Sequence, residues 1–181
     1  MKNTSLLVLF FGLTIIANAQ SAKNVEENQF VINVFTPGFV YEKGVTTNTT
    51  LATEFTIGFE ARGCTGCETA YGIYPAFVGQ YRYYYNMERR LGKNKNISGN
   101  TGNYISGTLW LQSGNPILGN LHKNYNLTGV IAPIYGFQRT YKKGFNFKIE
   151  GGVGYSFNDY ENGLGVILHT TFGWVIRKRK K

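Results

Sequence analysis

The run from Phe145 to Asn158, F-N-F-K-I-E-G-G-V-G-Y-S-F-N, constrains the fold more than any other stretch of this chain. Phe145, Phe147, Ile149, Val153, Tyr155 and Phe157 share one parity, and Asn146, Lys148, Glu150, Ser156 and Asn158 share the other. Side chains alternate across a strand, so the pattern is that of a strand with one aromatic, apolar face. Its opposite face carries a cation, an anion and small polar groups. Leu51 to Glu60 repeats the pattern, with Leu51, Phe55, Ile57 and Phe59 set against Glu54, Thr56, Gly58 and Glu60.

Eight such segments can be marked, at about 29–36, 38–45, 49–61, 73–90, 103–112, 126–141, 144–157 and 163–176. The first two are separated at Thr36-Pro37-Gly38, because proline cannot donate to a ladder and Pro-Gly favours a tight turn. The split also makes the count even, which returns both ends of a closed sheet to one side. Pro133, inside the sixth segment, is expected at a bulge or near a rim. The pattern predicts an all-β fold, an eight-stranded antiparallel up-and-down transmembrane β-barrel over 29–176.

The ends set the compartment. Lys2, an apolar run from Leu6 to Ile16 and then Ala17-Asn18-Ala19 read as a signal peptide over 1–19, cleaved before Gln20. A short lead, 20–28, precedes the first strand. No later apolar run approaches the ~20 residues of a transmembrane helix, while aromatics make up 15% of the chain and glycines number 23. That composition points to strands. The formal charge is +9, and the tail 177–181 supplies five of the cations, Arg177-Lys178-Arg179-Lys180-Lys181. Export argues for a solvated charge run there and against a nucleic-acid partner.

The only cysteines, Cys64 and Cys67, flank Thr65-Gly66. In an oxidising compartment this spacing suits a small disulfide loop. A redox pair would open a helix in an α/β pattern, and zinc would need two ligands besides the cysteines, for which only His122 and His169 exist, far apart in sequence. No metal or cofactor is expected.

Which face points inward is not decided by alternation alone. A soluble secreted barrel would bury Phe145, Ile149 and Val153 around a small apolar ligand and leave Lys148 and Glu150 in water. The wealth of Tyr, Phe and Trp on the apolar faces favours the lipid-facing assignment instead. The inward set then includes Glu54, Glu60, Gln80, Arg82, Lys148, Glu150 and His169. Buried charge of one sign is costly, so Arg82 and Lys148 are expected to pair with Glu54, Glu60 and Glu150 in a network that fills the lumen.

With this reading in place, three stretches carry a resemblance: Tyr41-Glu42-Lys43, then Tyr81-Arg82-Tyr83-Tyr84-Tyr85-Asn86 with Arg89-Arg90, and Ser98-Gly99-Asn100-Thr101-Gly102-Asn103-Tyr104. Together they resemble small outer-membrane β-barrel proteins of the Bacteroidota, in the architectural class of the OmpA transmembrane domain. The resemblance implies outer-membrane location, lipid contact and insertion by the barrel-assembly machinery, more than any activity. Barrels of this class end on an aromatic residue, whereas here Trp174-Val175-Ile176 is followed by the basic tail.

Catalysis finds little support. A lipid-modifying enzyme would use His169, but its same-face neighbour is Thr171 rather than a serine. Glu54 and Glu60 stand roughly 20 Å apart along a strand, too far for a glycosidase pair. The expectation is a non-catalytic protein with a structural or surface-interaction role.

Overall fold

The computed structural model describes residues 23–63, 66 and 68–176. The expected signal peptide, Cys64 and Cys67 with their disulfide, and the basic tail lie outside those residues.

Nine strands form one antiparallel sheet: β1 (Asn28–Asn33), β2 (Gly38–Gly44), β3 (Thr49–Arg62), β4 (Ala70–Tyr83), β5 (Gly102–Ser113), β6 (Leu118–Gly119), β7 (Leu127–Thr140), β8 (Phe145–Phe157) and β9 (Asn162–Val175). Eight of them close a ring in which each pairs with the ring strands before and after it in the chain. The closing contact sets Val31, Ile32 and Asn33 of β1 against Val175, Trp174 and Gly173 of β9. The two-residue β6 adds to the top of β4 through Gly72 and Ile73. The ring has a terminal end, where β1 begins and β9 finishes, and a far end.

The apolar parity points outward. Val153 is 55% exposed, whereas Lys148 and Glu150 are each 3% exposed. Among the outward residues of the eight ring strands only Lys43 and Arg139 are charged, and both stand at the terminal end. Rings touch across neighbouring strands, Phe39 with Phe55 at 5.3 Å and Phe55 with Phe77 at 5.0 Å. Cross-strand aromatic pairs of this kind stabilise the wall that carries them.

Three sequence expectations are corrected. The fourth strand stops at Tyr83 instead of reaching residue 90, and Met87–Leu91 forms a short helix, α1. Met-Glu-Arg-Arg-Leu has no period of two and consists of good helix formers. The first strand ends at Asn33, three residues early, because Val34 to Pro37 turn back into β2. Pro133 is at neither a bulge nor a rim. Ile131 faces Tyr155 and Ile134 faces Gly152, so the register across the proline is unchanged. The ladder to β8 skips Ala132 and Pro133 instead, and Gly152 makes room, since a Cβ there would collide with the Pro133 carbonyl.

The short first hairpin leaves the wall uneven. β2 covers β3 only as far as Thr56, and β1 reaches β9 only as far as Phe172, whose carbonyl accepts from Val34 at 2.8 Å. Beyond these points β3 continues through Ile57–Arg62 and β9 through Thr171–Asn162. Among the described residues no strand pairs with either facing edge.

Candidate functional site

A layer of buried charge crosses the middle of the ring. Glu150, on the inward face of β8, is its hub. Its Oε1 accepts from Gln80 Nε2 and from the Tyr104 hydroxyl, both at 2.7 Å. Its Oε2 lies 3.2 Å from Lys148 Nζ and 3.1 Å from His169 Nδ1. Lys148 also donates to Glu54 at 3.0 Å, and Glu54 takes a further bond from Asn33 at 2.9 Å. Arg82 donates through Nε to Gln80 at 2.7 Å, pairs with Glu42 at 3.2 Å and lies 4.9 Å above the Tyr104 ring. Glu42 accepts from Thr50 at 2.6 Å and Tyr84 at 2.8 Å. Every charge here has a partner of opposite sign and supporting hydrogen bonds, the condition under which buried ions are tolerable. The space remaining beside Arg82, Lys148 and Glu42 is about 10 Å³, room for about one water.

Of the residues expected in the network, Glu54, Arg82, Lys148, Glu150 and His169 are brought together, with Gln80 between them. Glu60 is not. It lies near the far end of β3 and pairs with Lys123, in the connection between β6 and β7, and with Arg62 at 2.9 Å. It shares the inward parity of Glu54 but stands six residues above the layer, roughly 20 Å along the strand. Glu42 was not among the expected residues. Its signal was the alternation Val40, Glu42, Gly44, in phase with an inward face but short and next to a turn.

Above the layer, toward the far end, lies a chamber of about 290 Å³. Glu150, Gln80 and His169 form its floor, and Val78, Trp110 and Ile134 stand in its walls. Trp110 meets the His169 ring at right angles, 5.5 Å between centroids. His169 Nδ1 is engaged by Glu150, while its Nε2 is buried with no hydrogen-bond partner. No hydroxyl is therefore bonded to this imidazole among the described residues, and no group of three His, Cys, Asp or Glu there could hold a metal ion.

The terminal end is closed. Val25, Tyr84, Met87 and Tyr104 pack together with Ile97 beneath the charged layer. The Glu26 amide donates to Asn100 Oδ1 at 2.7 Å, and Glu26 Oε1 accepts from the Gly99 amide at 2.9 Å. The Gly99 carbonyl accepts from Thr140 at 2.7 Å and Gln138 at 3.2 Å. Gly99 and Asn100 both have positive φ, 66° and 53°, which lets the loop turn its amides toward Glu26. The long connection after β4 is thus a plug. Burial, reinforced by the facing Glu42 carboxylate, raises the Tyr84 phenol well above the ordinary tyrosine value.

No family model matches the chain, and no curated protein or solved structure matches it either. Function must be argued from the ring and its contents.

Proposed function

We propose that the chain is an integral outer-membrane β-barrel, eight-stranded and up-and-down, with a sealed lumen and a structural or surface-interaction role carried by its far-end loops. One observation carries this reading: the fold is inverted relative to a soluble protein, with charge in the centre and an uncharged apolar belt outside. In water, exposed apolar patches rarely exceed a few hundred Å²; here such residues ring the wall.

The belt has the dimensions of a bilayer. Phe147 and Phe157 are ten residues apart on the outward face of β8. At ~3.3 Å per residue and a ~40° tilt this is roughly 25 Å, the height of the apolar band of outer-membrane barrels. Aromatic residues gather at both margins, Tyr83, Tyr85, Tyr135 and Trp174 at the terminal end and Phe59, Tyr71 and Phe157 at the far end. Amphipathic rings favour those two depths. The short turns at 45–48 and 141–144, the plug at 84–101 and both strand termini then face the periplasm, and the connections at 63–69 and 114–126 face outward. The soluble alternative would need Phe145, Ile149 and Val153 inside, which is the reverse of this distribution.

The charged layer and the plug act in series, so a solute has no continuous path through the lumen; that favours an anchored surface over a pore. Within the belt, lipid is the partner, and insertion falls to the barrel-assembly machinery. The test is gel mobility of the outer-membrane fraction in mild SDS, boiled against unboiled. A heat-shifted band that Phe147→Arg depletes is expected. A soluble periplasmic protein with no shift would overturn the reading.

A further inference from the structure

Arg139 is a charge without a counter-charge. It stands half-buried on the outward face of β7, opposite Phe147 of β8, the residue that marks the lower margin of the apolar belt. Its guanidinium stacks 3.7 Å from the centre of the Phe137 ring. Nη1 donates to the carbonyls of Gly102 at 2.9 Å and Gln138 at 2.7 Å, and Nη2 donates to Asn103 Oδ1 at 2.8 Å. A guanidinium has five N–H bonds, so Nε–H and one Nη2–H are left over. Among the described residues Nε has no partner, yet it is not one of the buried unpaired atoms, as Nε2 of His169 is. Two such N–H bonds form the fork that grips a phosphate or a carboxylate.

No acid answers this fork. Arg90 of α1 is tied to the same corner, since it donates to the Asn96 carbonyl at 2.7 Å and Asn96 Nδ2 donates to the Thr140 carbonyl at 3.1 Å. It lies within electrostatic reach of Arg139. Among the described residues neither arginine forms a salt bridge, and neither do Lys142 and Lys143 in the turn that follows. Cations gathered without a counter-ion draw an anion to the surface that carries them.

The same wall says what the anion is attached to. On the belt side of Arg139 the outward face sinks into a trough of about 730 Å³, the scale of a small-molecule site. Gly107 pairs with Pro133, and Gly151 with Tyr135, so small outward positions make its floor while Tyr81, Ile105 and Ile131 rise around it. Tyr135 joins the trough to the arginine. Its hydroxyl lies 2.9 Å from that of Tyr85 and accepts from Asn103 Nδ2 at 3.0 Å, and Asn103 is the residue that receives Arg139. Tyr135 and Arg139 are four residues apart, roughly 10 Å in depth at the tilt used above. Down the wall the order is apolar trough, polar hydroxyls, cationic fork, which is the order of chain, ester and phosphate in a phospholipid.

We propose that this face holds one anionic phospholipid of the phosphatidylglycerol class, its phosphate on Arg139 and one acyl chain in the trough. The source of the ligand, the leaflet at the terminal end, rests on the membrane reading above. An acidic protein segment would match the fork but not the trough. A zwitterionic headgroup brings its own cation to a corner that already has Arg90, Lys142 and Lys143 in surplus.

The test is native mass spectrometry of the full-length protein released from nanodiscs that hold phosphatidylglycerol and phosphatidylcholine in equal amounts. One retained phosphatidylglycerol is expected. Its retention should fall about tenfold in Arg139→Gln, the loss of charge-assisted bonds. It should fall as well in Gly107→Leu, which fills the trough from a position where a Cβ would meet nothing within 4 Å. Lys43→Gln, the other outward cation of the ring strands, should leave it unchanged. Should Arg139→Gln fail to give the heat-shifted band, Arg139→Lys, which keeps the charge without the fork, takes its place with a severalfold loss expected. Equal retention of the two lipids, indifference to the Arg139 variant, or an equal loss in Lys43→Gln would each overturn the proposal. Displacement by free glycerol phosphate would do the same, since it would mean an anion site with no use for the chain. A protein that does not enter the nanodisc sinks the membrane reading. One that enters it and gives the heat-shifted band, but retains no lipid selectively, sinks only this site.

Discussion

Lys148 holds its ammonium 3.2 Å from the Oε2 of Glu150, two residues along the same inward face of β8. The same nitrogen reaches Glu54 on the opposite side of the ring at 3.0 Å. One cation therefore ties a local pair to a distant strand, and among the described residues it is the only cation paired with Glu54.

Removing that cation leaves uncompensated charge in a dry layer. Lys148→Met is expected to cost about 3–5 kcal/mol, the usual loss when one partner of a buried pair is deleted. Adding Glu54→Gln to the same chain should recover part of the loss, since the orphaned carboxylate goes with it. Urea unfolding of the four proteins in vesicles closes the cycle; strictly additive losses would show that the two groups do not interact.

The outer belt should tolerate charge by depth. Phe55 sits at mid-height between Phe39 and Phe77. Phe55→Arg is expected to cost about 2–4 kcal/mol and Tyr141→Arg, at the terminal margin, about 0–1 kcal/mol. Equal costs, read from the same unfolding curves, would be inconsistent with a bilayer around the belt.

Tyr84 gives a signature in alkali. Its phenol is held protonated in the plug by burial and by Glu42. In the unfolded chain it ionises near the ordinary value of about 10. A group whose folded value is raised contributes stability that is complete below the unfolded value and lost as pH rises toward the folded one. Stability should therefore decline above about pH 10, and Tyr84→Phe should flatten that decline while losing the bond to Glu42 at neutral pH. An unchanged slope in the variant would remove Tyr84 from the account.

Gly99→Ala should open the plug. The position has φ 66°, and a Cβ there would lie 2.6–2.7 Å from Thr140 side-chain atoms. About 1–3 kcal/mol of local strain is expected. Protease with access to the terminal end should then cut near Lys93 and Lys95 while the heat-shifted band persists. Resistance equal to the parent protein would mean that the loop is not held by this turn.

Much of this was legible in the alternation. The ring strands and the inward positions of Glu54, Arg82, Lys148, Glu150 and His169 follow from parity, because the period of a strand is two and each charge falls on the face opposite the aromatics. Parity says nothing of height, which is why Glu60 was grouped with Glu54 although it pairs with Lys123 near the far end. The helix at Met87–Leu91 lay hidden behind Tyr81, Tyr83 and Tyr85, whose alternation runs right up to it. The plug was not legible at all, since Glu26 meets Asn100 only once the ring has brought distant segments together. The uncovered edges of β3 and β9 were half visible: the Pro37-Gly38 turn predicts a short hairpin, but not that its neighbours outrun it.

The latch between Glu26 and Asn100 has a consequence for assembly. It joins the segment leading into the first strand to a loop more than seventy residues later, and the first strand completes the ring by docking on the last. Until that seam is sewn, the loop has no fixed dock for its Gly99 amide, and Tyr84 and Met87 lack the Val25 side chain that covers them. The terminal end of an unfinished molecule thus differs chemically from that of a finished one: its Gly99 amide and its Tyr84 and Met87 side chains are uncovered.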